Sequence, residues 1–96
     1  MSDAPITRGI EIKNRQGLHA RPAEMFVRMA RDFEAKIELI KEDRRVDATS
    51  IIDLLTLGAA QGTKLTLVAE GNDAQAAVDA LANLVENEFP KEDAKN

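Results

Sequence analysis

Apolar residues recur along this 96-residue chain with two different periods, and the periods divide it into seven segments. Residues 8–13 alternate around Ile10 and Ile12, which predicts a strand, and residues 14–17 form a turn-prone loop. From residue 20 to 33 the spacing changes: Ala23, Phe26, Val27, Ala30 and Phe33 make one apolar stripe at helical intervals. Arg21, Glu24, Arg28 and Arg31 occupy the opposite side, with Met25 among them. Residues 36–41 alternate again through Ile37 and Leu39, Glu42-Asp43 predicts a hairpin turn without the usual Asn-Gly signal, and residues 44–48 return as a short strand.

Residues 50–57 predict a short helix of high apolar content, and Gly58 and Gly62 bracket a loop. Residues 64–70 form a strand with Leu65, Leu67 and Ala69 on one face. Gly71-Asn72-Asp73 opens a last helix whose stripe is Ala77, Val78, Leu81, Leu84 and Val85. The order β-α-β-β-α-β-α predicts an α+β open-faced two-layer sandwich: a four-stranded antiparallel sheet with three helices on one face. The expected domain spans residues 8–89, between a flexible arm (1–7) and a charged tail (90–96).

Composition narrows the chemistry. There is no cysteine, so disulfides, thiol catalysis and thiolate zinc sites are excluded, and a single histidine rules out a multi-histidine metal site. No metal and no cofactor are expected. No apolar run approaches the ~18 residues of a membrane span, and residues 1–5 lack the features of a secretory signal. A cytoplasmic protein without membrane insertion is the expectation. The net charge of −4 and the three aromatics (Phe26, Phe33, Phe89) argue against nucleic acid, which needs cationic surface and stacking platforms. Charge is unevenly spread, however. Between residues 8 and 31 stand Arg8, Lys13, Arg15, Arg21, Arg28 and Arg31 against only Glu11 and Glu24, a local positive patch that can steer an acidic partner or an anion.

The sole histidine lies inside that patch, in Gly17-Leu18-His19-Ala20-Arg21-Pro22-Ala23, where the strand pattern gives way to the helix pattern. Imidazole is a good nucleophile that is partly neutral near pH 7, and phosphorylating it gives a labile phosphoramidate. The first N–H groups of a helix lack intrahelical acceptors and form an anion site with the macrodipole. Pro22 has no N–H, which costs nothing in a first turn. Arg21 offers a permanently charged fork of donors. A histidine that merely caps the helix or fills a surface position is the simpler alternative, and these residues alone leave both open.

The motif resembles the phosphorylation site of the HPr family, the histidine-containing phosphocarriers of the bacterial phosphotransferase system. The likeness continues through Ser50-Ile51-Ile52, Thr56-Leu57-Gly58, Gln61-Gly62-Thr63 and Ala69-Glu70-Gly71 into the last helix, over nearly the whole domain. It implies that His19 accepts a phosphoryl group on Nδ1 from phospho-enzyme I and passes it to enzyme II A components, with Arg21 stabilising the phosphate. The chain would then be a carrier and not a turnover enzyme, and a monomer. Gln16 departs from the Asn or Thr often found before the motif's glycine.

Ser50 predicts an N-cap for the second helix, with Asp53 where a capping box places its acid. Ser50 also matches the position that a dedicated HPr serine kinase/phosphorylase modifies in some bacteria, which makes it a candidate regulatory site; many relatives have glycine where Asp53 stands. The second helix has more apolar side chains than one face can bury. With Leu54 and Leu57 inward, Ile51, Ile52 and Leu55 turn to solvent and, with Ala20, Glu24 and Arg28, frame a docking surface beside His19. Two related alternatives remain: a carrier of the nitrogen-related phosphotransferase branch, and a mainly regulatory HPr-like protein controlled at Ser50. An unrelated ligand- or RNA-binding α+β domain fits poorly, given the acidic charge and the absence of an aromatic platform or Gly-rich phosphate loop.

Overall fold

A computed structural model describes residues 4–90. The elements follow the expected order: β1 (Ile6–Glu11), α1 (Ala20–Ala30), β2 (Lys36–Lys41), β3 (Arg44–Asp47), α2 (Ile51–Thr56), β4 (Lys64–Glu70) and α3 (Ala74–Glu86). The strands lie in the order β1-β4-β2-β3, with every neighbouring pair antiparallel. The three helices cover one face of the sheet. Ile10, Ile37, Leu39, Val46, Leu65, Leu67 and Ala69 point into the layer between sheet and helices and join one core cluster with Phe26, Leu54, Leu57, Val78 and Leu81. Among the described residues no polar or charged residue is fully buried. No helix among them is long and apolar enough to cross a membrane.

Several boundaries differ from the sequence pattern, each for a local reason. The first strand runs from Ile6 to Glu11 and not over 8–13, so Ile6 and Thr7, expected in the arm, pair with Ala69 and Val68. Arg8 sits on the same side of the strand as Ile6 and Ile10 and breaks the apolar alternation. It stays at the sheet's edge, where it pairs with Asp79 (3.6 Å) and Glu86 (3.3 Å) of α3. Residues 1–3 of the arm and 91–96 of the tail lie outside the described residues.

The first helix stops at Ala30, short of the expected residue 33. Asp32 and Phe33 donate to Met29 and Ala30 in tight i→i−3 turns. The next two N–H groups, of Glu34 and Ala35, donate to the Asp73 carboxylate at 2.8 Å each. Asp73 is the N-cap residue of α3 but caps nothing with its side chain; it clasps the α1–β2 loop instead. The β2–β3 turn closes with Glu42 at φ 56°, the left-handed region that Asn-Gly turns normally fill. The second helix is held at its far end by the same hairpin: Arg44 donates to the Thr56 carbonyl and Lys41 to that of Leu57.

Candidate functional site

The segment before α1 is shaped by one close approach of two backbones. Gly17 adopts φ +73°, and a Cβ there would stand 2.5 Å from the Ala59 carbonyl oxygen and 2.9 Å from the Ala60 Cα. Only glycine fits both the conformation and the space. The neighbouring Leu18 N–H donates to that Ala59 oxygen at 2.8 Å, and its side chain is buried. The loop leading to His19 is thus fastened to the loop after α2.

Asn14 braces it from within. Its Nδ2 donates to the Gly17 carbonyl at 2.6 Å, and the Gly17 N–H donates back to the Asn14 carbonyl at 3.0 Å. Its Oδ1 is buried with no partner among the described residues. In the sequence Asn14 only opens a turn-prone loop; the readiness of asparagine side chains to bond backbone a few residues on is the signal that points to this brace.

His19 is the N-cap residue of α1, with extended backbone (φ −89°, ψ −166°). Its carbonyl accepts the Ala23 N–H, which starts the helix, while its side chain makes no capping bond. The ring is half-buried, and neither nitrogen has a hydrogen-bond partner among the described residues. Both nitrogens are therefore uncommitted. The ring borders two shallow depressions. One is lined by Gln16, Leu18, Gly58, Ala59 and Ala60; the other, of about 310 Å³, by Asn14, Arg15, Gln16 and Arg21. The Ala20 and Arg21 N–H groups stand in the first turn, where no intrahelical acceptor is available, and Pro22 is packed into the core side.

Arg21 borders the second depression, but two of its nitrogens are already engaged. Nη2 donates to the Phe89 carbonyl at 3.0 Å and Nη1 to the Met25 sulfur at 2.9 Å. Phe89 reaches this position through the end of α3. Its N–H donates to the Leu84 carbonyl and that of Glu88 to Val85, with Glu88 at φ 59°. That is the Schellman arrangement, built here without the usual glycine. Nothing in the sequence signalled it, since Glu is a poor choice for a left-handed residue.

Ser50 caps α2 as expected: its Oγ accepts the Asp53 N–H at 3.2 Å. The reciprocal half of the capping box is absent. Asp53 Oδ2 accepts the Asp47 N–H (3.4 Å), and the Ser50 N–H goes to the Asp47 carbonyl (3.2 Å). The Asp47 carboxylate accepts the backbone N–H of Thr49 (2.8 Å) and its hydroxyl (2.7 Å). Those bonds, with Lys36 and Arg31 nearby, hold Asp47 below the usual carboxylate value of 3.8.

The residues expected at a docking surface are placed unevenly. Ala20, Glu24 and Arg28 are exposed on α1, with Arg28 and Glu24 3.9 Å apart. Ile52 (65% exposed) and Leu55 (38%) are the exposed large hydrophobics of the described chain. Ile51 departs from the expectation: it is half-buried, because its side chain packs against the core cluster. Helices α1 and α2 pack against each other, so their outer faces adjoin. Among the described residues no cluster of three or more His, Cys, Asp or Glu could hold a metal ion.

A family model described as the PTS HPr component phosphorylation site matches residues 6–87, from the start of β1 to just past α3. The chain belongs to the HPr family. The chain is 39% identical to the phosphocarrier protein HPr of Treponema pallidum over 87 residues, which are 91% of this chain and 99% of that one. It is 40% identical to the HPr-like protein Crh of Halalkalibacterium halodurans over 83 residues (86% and 99%), and 37% identical to the phosphocarrier protein NPr of Shewanella violacea over 84 residues (88% and 92%). Among solved structures, HPr from Thermoanaerobacter tengcongensis superposes with a TM-score of 0.86 at 44% identity, covering 91% of this chain and 98% of that one. The family thus accounts for the whole fold and for the motif around His19: this is a phosphocarrier-type protein of the phosphotransferase system, not an enzyme in its own right.

Proposed function

We propose that the chain carries a phosphoryl group on His19, taking it from phospho-enzyme I and delivering it to enzyme II A components of the sugar phosphotransferase system. The observation that carries this reading is the state of His19: half-exposed, with neither ring nitrogen bonded among the described residues, at the start of a helix. In the transfer, the lone pair of Nδ1 attacks phosphorus, the bond from phosphorus to the donor breaks, and its electron pair returns to the donor. The reverse sequence hands the group on. The N–H groups of the first turn and the positive charge of Arg21 offset the charge that the phosphoryl group brings to the helix start. Ala20, Glu24, Arg28, Ile52 and Leu55, with the half-buried Ile51 behind them, are the surface each partner would meet, on a single copy working in the cytoplasm. Mixing the protein with enzyme I and phosphoenolpyruvate tests the reading: a mass gain of one acid-labile phosphate, absent in His19→Ala, supports it, and no gain with a panel of enzyme I proteins overturns it.

Relatives of the HPr, NPr and Crh types stand at similar distances, so identity does not favour the sugar branch over the nitrogen-related one. Control at Ser50 by a serine kinase/phosphorylase is a second reading, supported by the hydroxyl's place at the α2 N-cap. A phosphate there would add about two negative charges beside Asp47 and Asp53, and for that reason the carrier role ranks first. Labelling with ATP and a cognate cell extract decides the point: loss of label in Ser50→Ala supports the regulatory reading, and equal labelling removes it.

A further inference from the structure

We infer that Arg15 is a second cation for the phosphoryl group on His19, acting beside Arg21. This deepens the carrier reading and rests on it. The depression next to His19 is lined by Asn14, Arg15, Gln16 and Arg21, so two arginines border it. One comes from the loop that leads into Gly17, the other from the first turn of α1.

The two cations are in different states. Arg21 is fixed by Phe89 and Met25 and forms a set wall of the site. Arg15 is exposed and makes no hydrogen bond or ion pair among the described residues. Nor does an acid nearby in the chain claim it. Glu24 lies near Arg28, and the other residues lining the depression, Asn14 and Gln16, are neutral. Phosphorylated imidazole carries about two negative charges. The one engaged guanidinium at the depression leaves part of that charge unmatched, and an uncommitted Arg can bring paired donors to the remaining oxygens.

The position also costs the fold little. Asn14 and Gly17 hold the loop through their own hydrogen bonds, without the Arg15 side chain. A cation with no partner of its own suits a carrier: it can close on the phosphoryl group between encounters and swing aside when a partner approaches phosphorus in line.

The test compares wild type, Arg15→Lys and Arg15→Gln after phosphorylation with enzyme I and phosphoenolpyruvate. Each is followed by mass, by the rate of phosphoryl uptake and by a ³¹P NMR titration of the bound phosphoryl group. A nearby cation lowers the second ionisation of a phosphoryl group, so removing it should raise the midpoint by roughly 0.5 unit. Arg15→Gln should also take up phosphate about three- to tenfold more slowly, with Arg15→Lys close to wild type. Unchanged amide resonances for residues 14–17 would show that the loop is intact. Phosphorylated Arg15→Gln with wild-type rate and midpoint overturns the inference and leaves the carrier reading standing. No phosphate on wild type removes both.

Discussion

The Cα of Gly17 lies so close to the Ala59 carbonyl that a single added methyl group would sit 2.5 Å from its oxygen. This contact joins the loop before His19 to the loop after α2, so the site and the neighbouring helix are positioned by one another. Gly17→Ala should lose on two counts, a left-handed backbone and a backbone clash. We expect destabilisation of about 2–4 kcal/mol, read as a lowered urea midpoint, together with slower phosphoryl uptake. A variant with wild-type stability and transfer would show that the two loops part freely.

Asp73 offers a contrasting case, since it stabilises the fold far from the chemistry. Its carboxylate satisfies the Glu34 and Ala35 N–H groups, and Gly71 passes beside Ala35 in the same corner. Asp73→Ala should cost about 2 kcal/mol by leaving these donors without their partner, while phosphoryl uptake by His19 stays at the wild-type rate. Denaturant unfolding and a transfer assay on the same samples check both parts.

Stability should respond to acid through Asp47. Its folded value lies below 3.8, so the unfolded chain takes up the proton first. The stabilisation is fully present above about pH 4 and is lost as pH falls through the lower folded value. The backbone bond from Thr49 is the main cause and its hydroxyl the next. Thr49→Val removes only the hydroxyl, so the Asp47 midpoint should rise toward 3.8 and the acid-dependent loss should shrink. A carboxyl ¹³C titration by NMR measures the shift directly.

Ile52 tests the docking surface. It is 65% exposed and does not belong to the core cluster. Ile52→Asp should leave the thermal midpoint within a degree or two of wild type, yet raise the KM for the carrier in an enzyme I assay about tenfold, with kcat little changed. A KM equal to that of wild type would exclude Ile52 from the interface.

Much of this fold was legible because its periods are clean. β4 carries Leu65, Leu67 and Ala69 in strict alternation, and its observed limits agree with the pattern. Ser50 was readable as a cap because a hydroxyl before an apolar run has few other uses. The departures arise where long-range partners override local signals. Arg8 occupies an inward strand position because α3 supplies Asp79 and Glu86 at the edge. Glu88 takes a left-handed conformation because burial of Phe89 offsets it. The site shows the same division. The His19 ring at a helix start follows from the motif, whereas the Phe89 carbonyl on Arg21 joins residues 68 apart and left no local trace.

The central claim is that one ring nitrogen of His19 carries the phosphoryl group. Because the chain has a single histidine, ¹⁵N labelling of that residue type gives one pair of ring nitrogens and no ambiguity. With enzyme I and phosphoenolpyruvate, the account predicts that the Nδ1 resonance shifts and gains a coupling to ³¹P while Nε2 keeps its proton. Ring resonances that remain unchanged while the protein gains a phosphate would place the group elsewhere and contradict the account.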